Sequence, residues 1–201
     1  MGELFEVDPG TIRSTLAELA SHGADAADLY FQRRRTTSIL YQDGIVSRAS
    51  SSVERGVGLR CVIGDRTGYA FTEELVPETI LEAARTAASI ASGSTPVEPQ
   101  QLRLIESPSY YTIEVPWADV GIDRRLPLVR RAAELARAGD PAIRRVEVRW
   151  SDVDEQVMIA DLQGRVVTDR RPMTRLWVNV TAERNGERQA NSSNISGRRG
   201  I

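Results

Sequence analysis

The chain holds one His, His22, and one Cys, Cys61, and these are the first residues to test for chemistry. A nucleophile needs a base beside it, a His, a Lys or an N-terminal amine. There is no Lys: all 26 basic residues are Arg. His22 lies at the C-terminal end of a helical stretch, where an imidazole serves as a cap and dipole partner. Cys61 lies within the apolar run Gly56–Ile63, the setting of a buried, inert thiol. One Cys forms no intrachain disulfide, and one Cys with one His builds no Cys/His zinc site. Asp152, Asp154 and Glu155 cluster after Trp150, and Asp161 and Asp169 flank a turn. Two carboxylates can hydrolyse a glycoside, but on strands and turns among so many Arg they read as solvated or ion-paired. Gly56-Val57-Gly58 resembles a phosphate loop only superficially. It lacks the third Gly and leads into no helix, so it reads as a bulge or a close backbone approach. No catalytic set closes from these residues.

The elements that must position them are legible. Residues 11–22 form an amphipathic helix with Ile12, Leu16, Leu19 and Ala20 on one face, stopped by Gly23. Ala27–Arg35 and Thr36–Gln42 read as strands. Asp43-Gly44 is a hairpin turn, followed by strands Ile45–Glu54 and Gly56–Ile63. Gly64–Gly68 is a second turn before the strand Tyr69–Thr72. Pro77 opens a helix whose Ala-rich body, Thr79–Ala91, ends at Gly93. Residues 92–109 hold three Pro and read as a loop. Asp123–Ala138 is a third helix, closed by Gly139. Strands return at Val146–Trp150, Val157–Ala160, Arg165–Asp169 and Leu176–Ala182, with turns at Gln163-Gly164 and Asn185-Gly186. The stretch Gln189–Gly200 is polar and reads as a flexible loop. Segregated strand and helix blocks predict an α+β fold, an antiparallel sheet of meander strands carrying about three helices. One domain over 1–201 is expected, with the loop at 92–109 as the one place where two lobes divide.

The chain has 201 residues and 22.2 kDa, with 41% hydrophobic and 27% charged residues, an ordinary globular composition. The formal charge is −2, which argues against a general nucleic-acid binder. No apolar run reaches membrane-spanning length. The start, from Met1 to Glu6, has no basic segment before an apolar run, and Glu6 breaks a myristoylation pattern at Gly2. The sequons at Asn179, Asn191 and Asn194 are therefore read as coincidental, and a cytoplasmic protein is expected. The Arg runs at 33–35, 124–125, 130–131, 144–145, 170–171 and 198–199 are spread among acids and read as solvated faces or ion pairs.

The stretch from Ala27 to Leu75, ADLYFQRRRTTSILYQDGIVSRASSSVERGVGLRCVIGDRTGYAFTEEL, resembles the N-terminal domain of the TldD/PmbA family, once described as modulators of DNA gyrase. The order carries the resemblance: a strand starting on an acid, a DG turn, a GVG strand, then Gly64-x-x-x-Gly68-Tyr69-Ala70. The DLYFQ form is similar to the TldD branch rather than the PmbA (TldE) branch. Arg171-Pro172-Met173-Thr174-Arg175-Leu176, the strand after it and the polar Ser192–Gly200 stretch are similar too. The resemblance thus spans roughly 11–201.

The resemblance implies a metallopeptidase that cuts peptides and unstructured protein segments and works beside a PmbA/TldE-like subunit. In the family a zinc-type metal sits on a helical HExxxH motif with a further Cys near the C-terminus. The helical spacing puts both His on one face and leaves the Glu to activate water. Neither His22 nor Cys61 matches those positions, so no catalytic, metal or cofactor-binding residue is carried over. The expectation is the N-terminal scaffold part of such a protein, whether a split-gene product or a truncated piece, lacking the catalytic C-terminal domain. The metal then belongs only to the full-length enzyme. Strand edges would offer an extended peptide a place to add as a further strand, with Gln189–Gly200 bordering the cavity. The competing expectation is a stand-alone peptide- or partner-binding module without catalysis. Direct nucleic-acid or membrane contact is expected of neither.

Overall fold

A computed structural model describes residues 5–90, 96–111 and 113–198 of the chain. In order it runs α1 (Pro9–Leu19), β1 (Ala26–Gln42), β2 (Ile45–Ile63), β3 (Arg66–Thr72), α2 (Pro77–Ile90), β4 (Arg103–Ile105), α3 (Ile122–Ala138), β5 (Ile143–Asp161), β6 (Arg165–Arg184) and β7 (Glu187–Gly197). The strands lie in one sheet in the order β3-β2-β1-β5-β6-β4, with β7 also on β6. The fold is α+β and the sheet is antiparallel, save that β4 runs parallel to Arg165–Val167 of β6. β7 takes the same strand further on, from Thr174↔Gly197 to Arg184↔Glu187.

The turns explain the long hairpins. Asp43 (φ 47°) with Gly44 (φ 95°), and Asn185 (φ 54°) with Gly186 (φ 82°), place both central residues in the left-handed region. That is the type I′ geometry whose twist matches paired strands. Strands that read separately in sequence are therefore continuous: Ala27–Arg35 with Thr36–Gln42 in β1, and Ile45–Glu54 with Gly56–Ile63 in β2. Within Gln189–Gly200, residues up to 197 are strand rather than loop. Nine of the eleven β6–β7 register pairs hold them to β6, a ladder that burial patterning could not reveal because nearly every residue of β7 is exposed. The ends proposed at Ala91, Gly93 and Gly200 lie outside the described residues.

The chain divides into two compact units. The first comprises Met1–Arg34, Glu54–Ser109 and Glu155–Arg170. Its core joins Ile12, Leu16 and Leu19 of α1, Ile80, Ala84 and Ala87 of α2, and Leu29, Phe31, Leu59, Cys61 and Met158 of the sheet. Each fully buried Ile, Leu, Phe or Met side chain among them contributes about 1.5–3 kcal/mol. α1 begins where the Asp8 carboxylate accepts the Thr11 amide, with Pro9 at the first position. α1 packs on α2, and α2 on β3. Gly68 permits the second contact, since a Cβ there would overlap the Ala87 carbonyl.

The second unit comprises Arg35–Val53, Tyr110–Asp154 and Arg171–Ile201. Ile39, Tyr41, Val146, Val148 and Trp150 of the sheet pack with Trp117 and Val129, and Leu176, Val178 and Val180 of β6 join them. The alternation of β6 is legible here: even positions face the core, while Trp177 on the other face lies under Arg149, 5.4 Å from ring centroid to guanidinium.

Candidate functional site

The residues that the sequence singles out for chemistry are not brought together. His22 is exposed in the turn after α1, three residues beyond the last helical residue, Leu19. Cys61 is fully buried, its Sγ 3.3 Å from the Ala87 carbonyl oxygen that it donates to. Burial pushes this thiol up from its ordinary pKa, so the nucleophilic thiolate is suppressed. Gly58 of the GVG strand lies beneath the Tyr69 side chain, and a Cβ there would stand 2.7 Å from the Tyr69 hydroxyl. This is the aromatic covering of a strand glycine, not a phosphate cradle.

Of the carboxylates, Asp152, Glu155 and Asp161 are held by neighbouring side chains. Asp152 is 2% exposed and bound side-on by Arg125, with Nε–Oδ2 at 2.6 Å and Nη2–Oδ1 at 3.0 Å. The indole Nε1 of Trp150 donates to the same carboxylate at 2.8 Å. Arg125 also donates to the Val120 carbonyl and lies over the Trp117 ring. This charge is paired and hydrogen-bonded on every side, as a buried carboxylate must be. Asp161 accepts from the Arg165 guanidinium at 2.6 Å, and Glu155 from the Gln32 amide at 2.5 Å. At the β6–β7 end, the Ala142 amide and then Arg184 hold the Asp140 carboxyl below its ordinary range. Arg188 does the same for Glu183. Among the described residues no group of three or more His, Cys, Asp or Glu is placed to hold a metal ion. With an exposed His and a buried, protonated thiol as the soft donors, the described residues do not fit a zinc-type site.

What the second unit does present is unpaired backbone. β3 pairs with β2 only over Val57–Ile63, so residues 45–55 have β1 on one side and no strand of the described residues on the other. All eleven are exposed. β7 is bordered by β6 alone among the described strands. Open edges are normally blunted by shortness, charge or Pro. Residues 45–53 hold one charge, Arg48, and no Pro; residues 189–197 hold no charge and no Pro. Beside the 45–53 edge lies a cavity of about 390 Å³, lined by Arg35, Thr37, Ile39, Ala49, Ser51 and Arg125 among others. The Nε of Arg35 is buried there without a hydrogen-bond partner. In the sequence Arg35 reads as part of a solvated Arg run. The available signal was its odd position, in phase with the core residues Ile39 and Tyr41.

Such a surface can bind an extended chain by backbone pairing. No described helix is long and apolar enough to cross a membrane. Comparison with known proteins identifies the family. Residues 27–91 match the family description "PmbA/TldA metallopeptidase domain 1", and residues 115–201 match "PmbA/TldA metallopeptidase central domain". The chain is 30% identical, over 92% of its length, to a metalloprotease TldD homolog of Haemophilus influenzae. It is 24% identical over 94% to another from Buchnera aphidicola of Schizaphis graminum. It spans 39% of the length of each of these relatives. A candidate modulator of DNA gyrase from Bacteroides thetaiotaomicron shares the fold with a TM-score of 0.75 at 16% identity, over 94% of this chain and 45% of that one. TldE from Thermococcus kodakarensis does so with a TM-score of 0.71 at 16% identity, over 93% and 43%.

Proposed function

Because the chain belongs to the PmbA/TldA metallopeptidase family, we propose that it serves as the N-terminal scaffold of a TldD-like metalloprotease that cleaves peptides or unfolded protein segments. The observation that carries this reading is the pair of family matches in series, domain 1 then central domain, together with TldD homologs aligned over nearly the whole chain. In this reading the chain contributes no catalytic or metal-binding residue. The metal belongs to the remainder of the enzyme, where it would activate water for hydrolysis. The scaffold walls the peptide-binding space and presents open strand edges to an extended substrate. A PmbA/TldE-like subunit is the expected partner, and the cytoplasm the expected location.

The test begins with the native product. A protein well over twice 22.2 kDa, with chelator-sensitive cleavage of an unfolded substrate, supports the scaffold reading. A 22 kDa product that binds peptides without cutting them favours a stand-alone binding module. The open edges and the misfit of the described donors to a metal both suit that second reading.

A further inference from the structure

The whole-chain charge of −2 conceals a division. The first unit holds 10 Arg against 17 acidic residues, the second 16 Arg against 11, so they carry −7 and +5. In the second unit many of the acids are already engaged. Asp152 is bound by Arg125, Asp43 by Arg137, Asp140 by Arg184 and Glu183 by Arg188. Arg35 and Arg48, on the two strands of the open arm, have no carboxylate partner among the described residues. The half-buried Arg35 lines the 390 Å³ cavity, and its Nε is buried without a hydrogen-bond partner. An idle, buried donor on a permanent cation costs free energy unless an acceptor from outside completes it.

We infer that the 45–53 edge of β2 is a docking strand for an extended acidic polypeptide segment, one of whose carboxylates enters the cavity beside Arg35. Three features converge on that occupant. The open edge supplies backbone donors and acceptors at the spacing of another strand, which only a polypeptide can use. The small side chains Ala49, Ser50 and Ser51 leave room for side chains of the added strand. The charge of the unit and the idle Arg35 donor select a carboxylate over an amide or an ammonium group. A second copy of the same strand is disfavoured, since it would bring Arg48 against another basic edge. Nucleic acid would find charge here but no aromatic stacking platform, as residues 45–55 contain no aromatic residue.

This inference rests on the peptide-handling reading above but not on cleavage. The test is fluorescence anisotropy with the full chain and a labelled peptide of about ten residues that alternates Thr and Glu. Its Thr/Gln and Thr/Lys counterparts serve as controls, and a single-stranded DNA oligomer as competitor. The Glu peptide is expected to bind about tenfold more tightly than the Gln peptide. That preference should shrink from about 0.05 M to about 0.3 M salt. Arg35→Gln and the exposed Arg48→Gln should each remove most of it while leaving the Gln peptide unaffected. Circular dichroism confirms that each variant folds, and Arg48→Gln keeps the test valid if Arg35→Gln does not. Hydrogen exchange should show protection gained at residues 45–53. Equal affinity for Glu and Gln peptides overturns the acidic preference alone. A preference that survives both substitutions, or protection appearing at 187–197 instead, overturns the assigned edge. DNA binding with the same Arg dependence and no Glu-peptide binding assigns the surface to nucleic acid. Absence of binding to any peptide overturns both this inference and the peptide-handling reading.

Discussion

At the residue scale the most informative group is the buried ion pair of Arg125 and Asp152. Two charges taken from water recover their desolvation cost only through near-complete hydrogen bonding. Here Asp152 accepts from Arg125 twice and from Trp150, while Arg125 also reaches the Val120 carbonyl. Arg125→Leu strands a carboxylate that is 2% exposed and should destabilise the chain by about 3–5 kcal/mol in urea unfolding. The double variant Arg125→Leu/Asp152→Leu should recover to within about 2 kcal/mol of the parent, because it leaves no unpaired charge, only the Trp150 indole without its acceptor and the Val120 carbonyl without its Arg donor. A double variant no better than the single one would mean that the pair holds the fold by more than mutual charge compensation. Cys61 makes the opposite kind of case, a neutral group kept neutral. Its folded pKa lies above its unfolded value, so its contribution is complete below about pH 8.5 and falls as pH rises from there toward the folded value. Cys61→Ala should therefore be less stable than the parent at neutral pH, with the gap narrowing toward about pH 10. Native Cys61 should also resist thiol reagents until the chain unfolds.

At the element scale the GVG strand and the turn after it are explained by how closely the chains approach. Gly68 faces the backbone of α2, which cannot yield, so Gly68→Ala should cost about 3 kcal/mol or more in denaturant midpoint measurements. Gly58 faces only the end of the Tyr69 side chain, which can swing outward, so Gly58→Ala should cost under about 1 kcal/mol. Similar losses for the two would contradict the close packing of α2 on β3. These elements also show what the sequence discloses. α1, α2 and α3 are legible because each buries a face at helical spacing, and the β1–β2 hairpin because its Asp-Gly turn announces it. β7 was hidden, since a strand exposed on both faces has no burial alternation to read. Asn185-Gly186 was the signal that could have found it, since a turn of that type needs a second strand to return along the first. The Arg125–Asp152 pair was unreadable for a related reason: partners 27 residues apart reveal themselves only when α3 meets the sheet.

At the scale of the whole molecule, the summed charge was the misleading quantity. A value of −2 suggests a mildly acidic surface, yet the Arg and acid positions sort into units of −7 and +5. Linear sequence obscures this because each unit is assembled from three separated segments. The sorting has a consequence independent of any ligand. Beyond about 10 Å at 0.1 M salt, exposed charges are screened, so a resin or partner senses the nearest region rather than the sum. The chain should therefore be retained at low salt near neutral pH by a cation exchanger as well as by an anion exchanger. Retention on both should be lost by about 0.3 M salt. Arg35→Gln/Arg48→Gln should elute earlier from the cation exchanger and keep its position on the anion exchanger, because both positions belong to the basic unit. A chain that bound only the anion exchanger would show that the 16 Arg of the second unit are neutralised from outside that unit. The arm around 45–53 would then have no field with which to select an acidic strand.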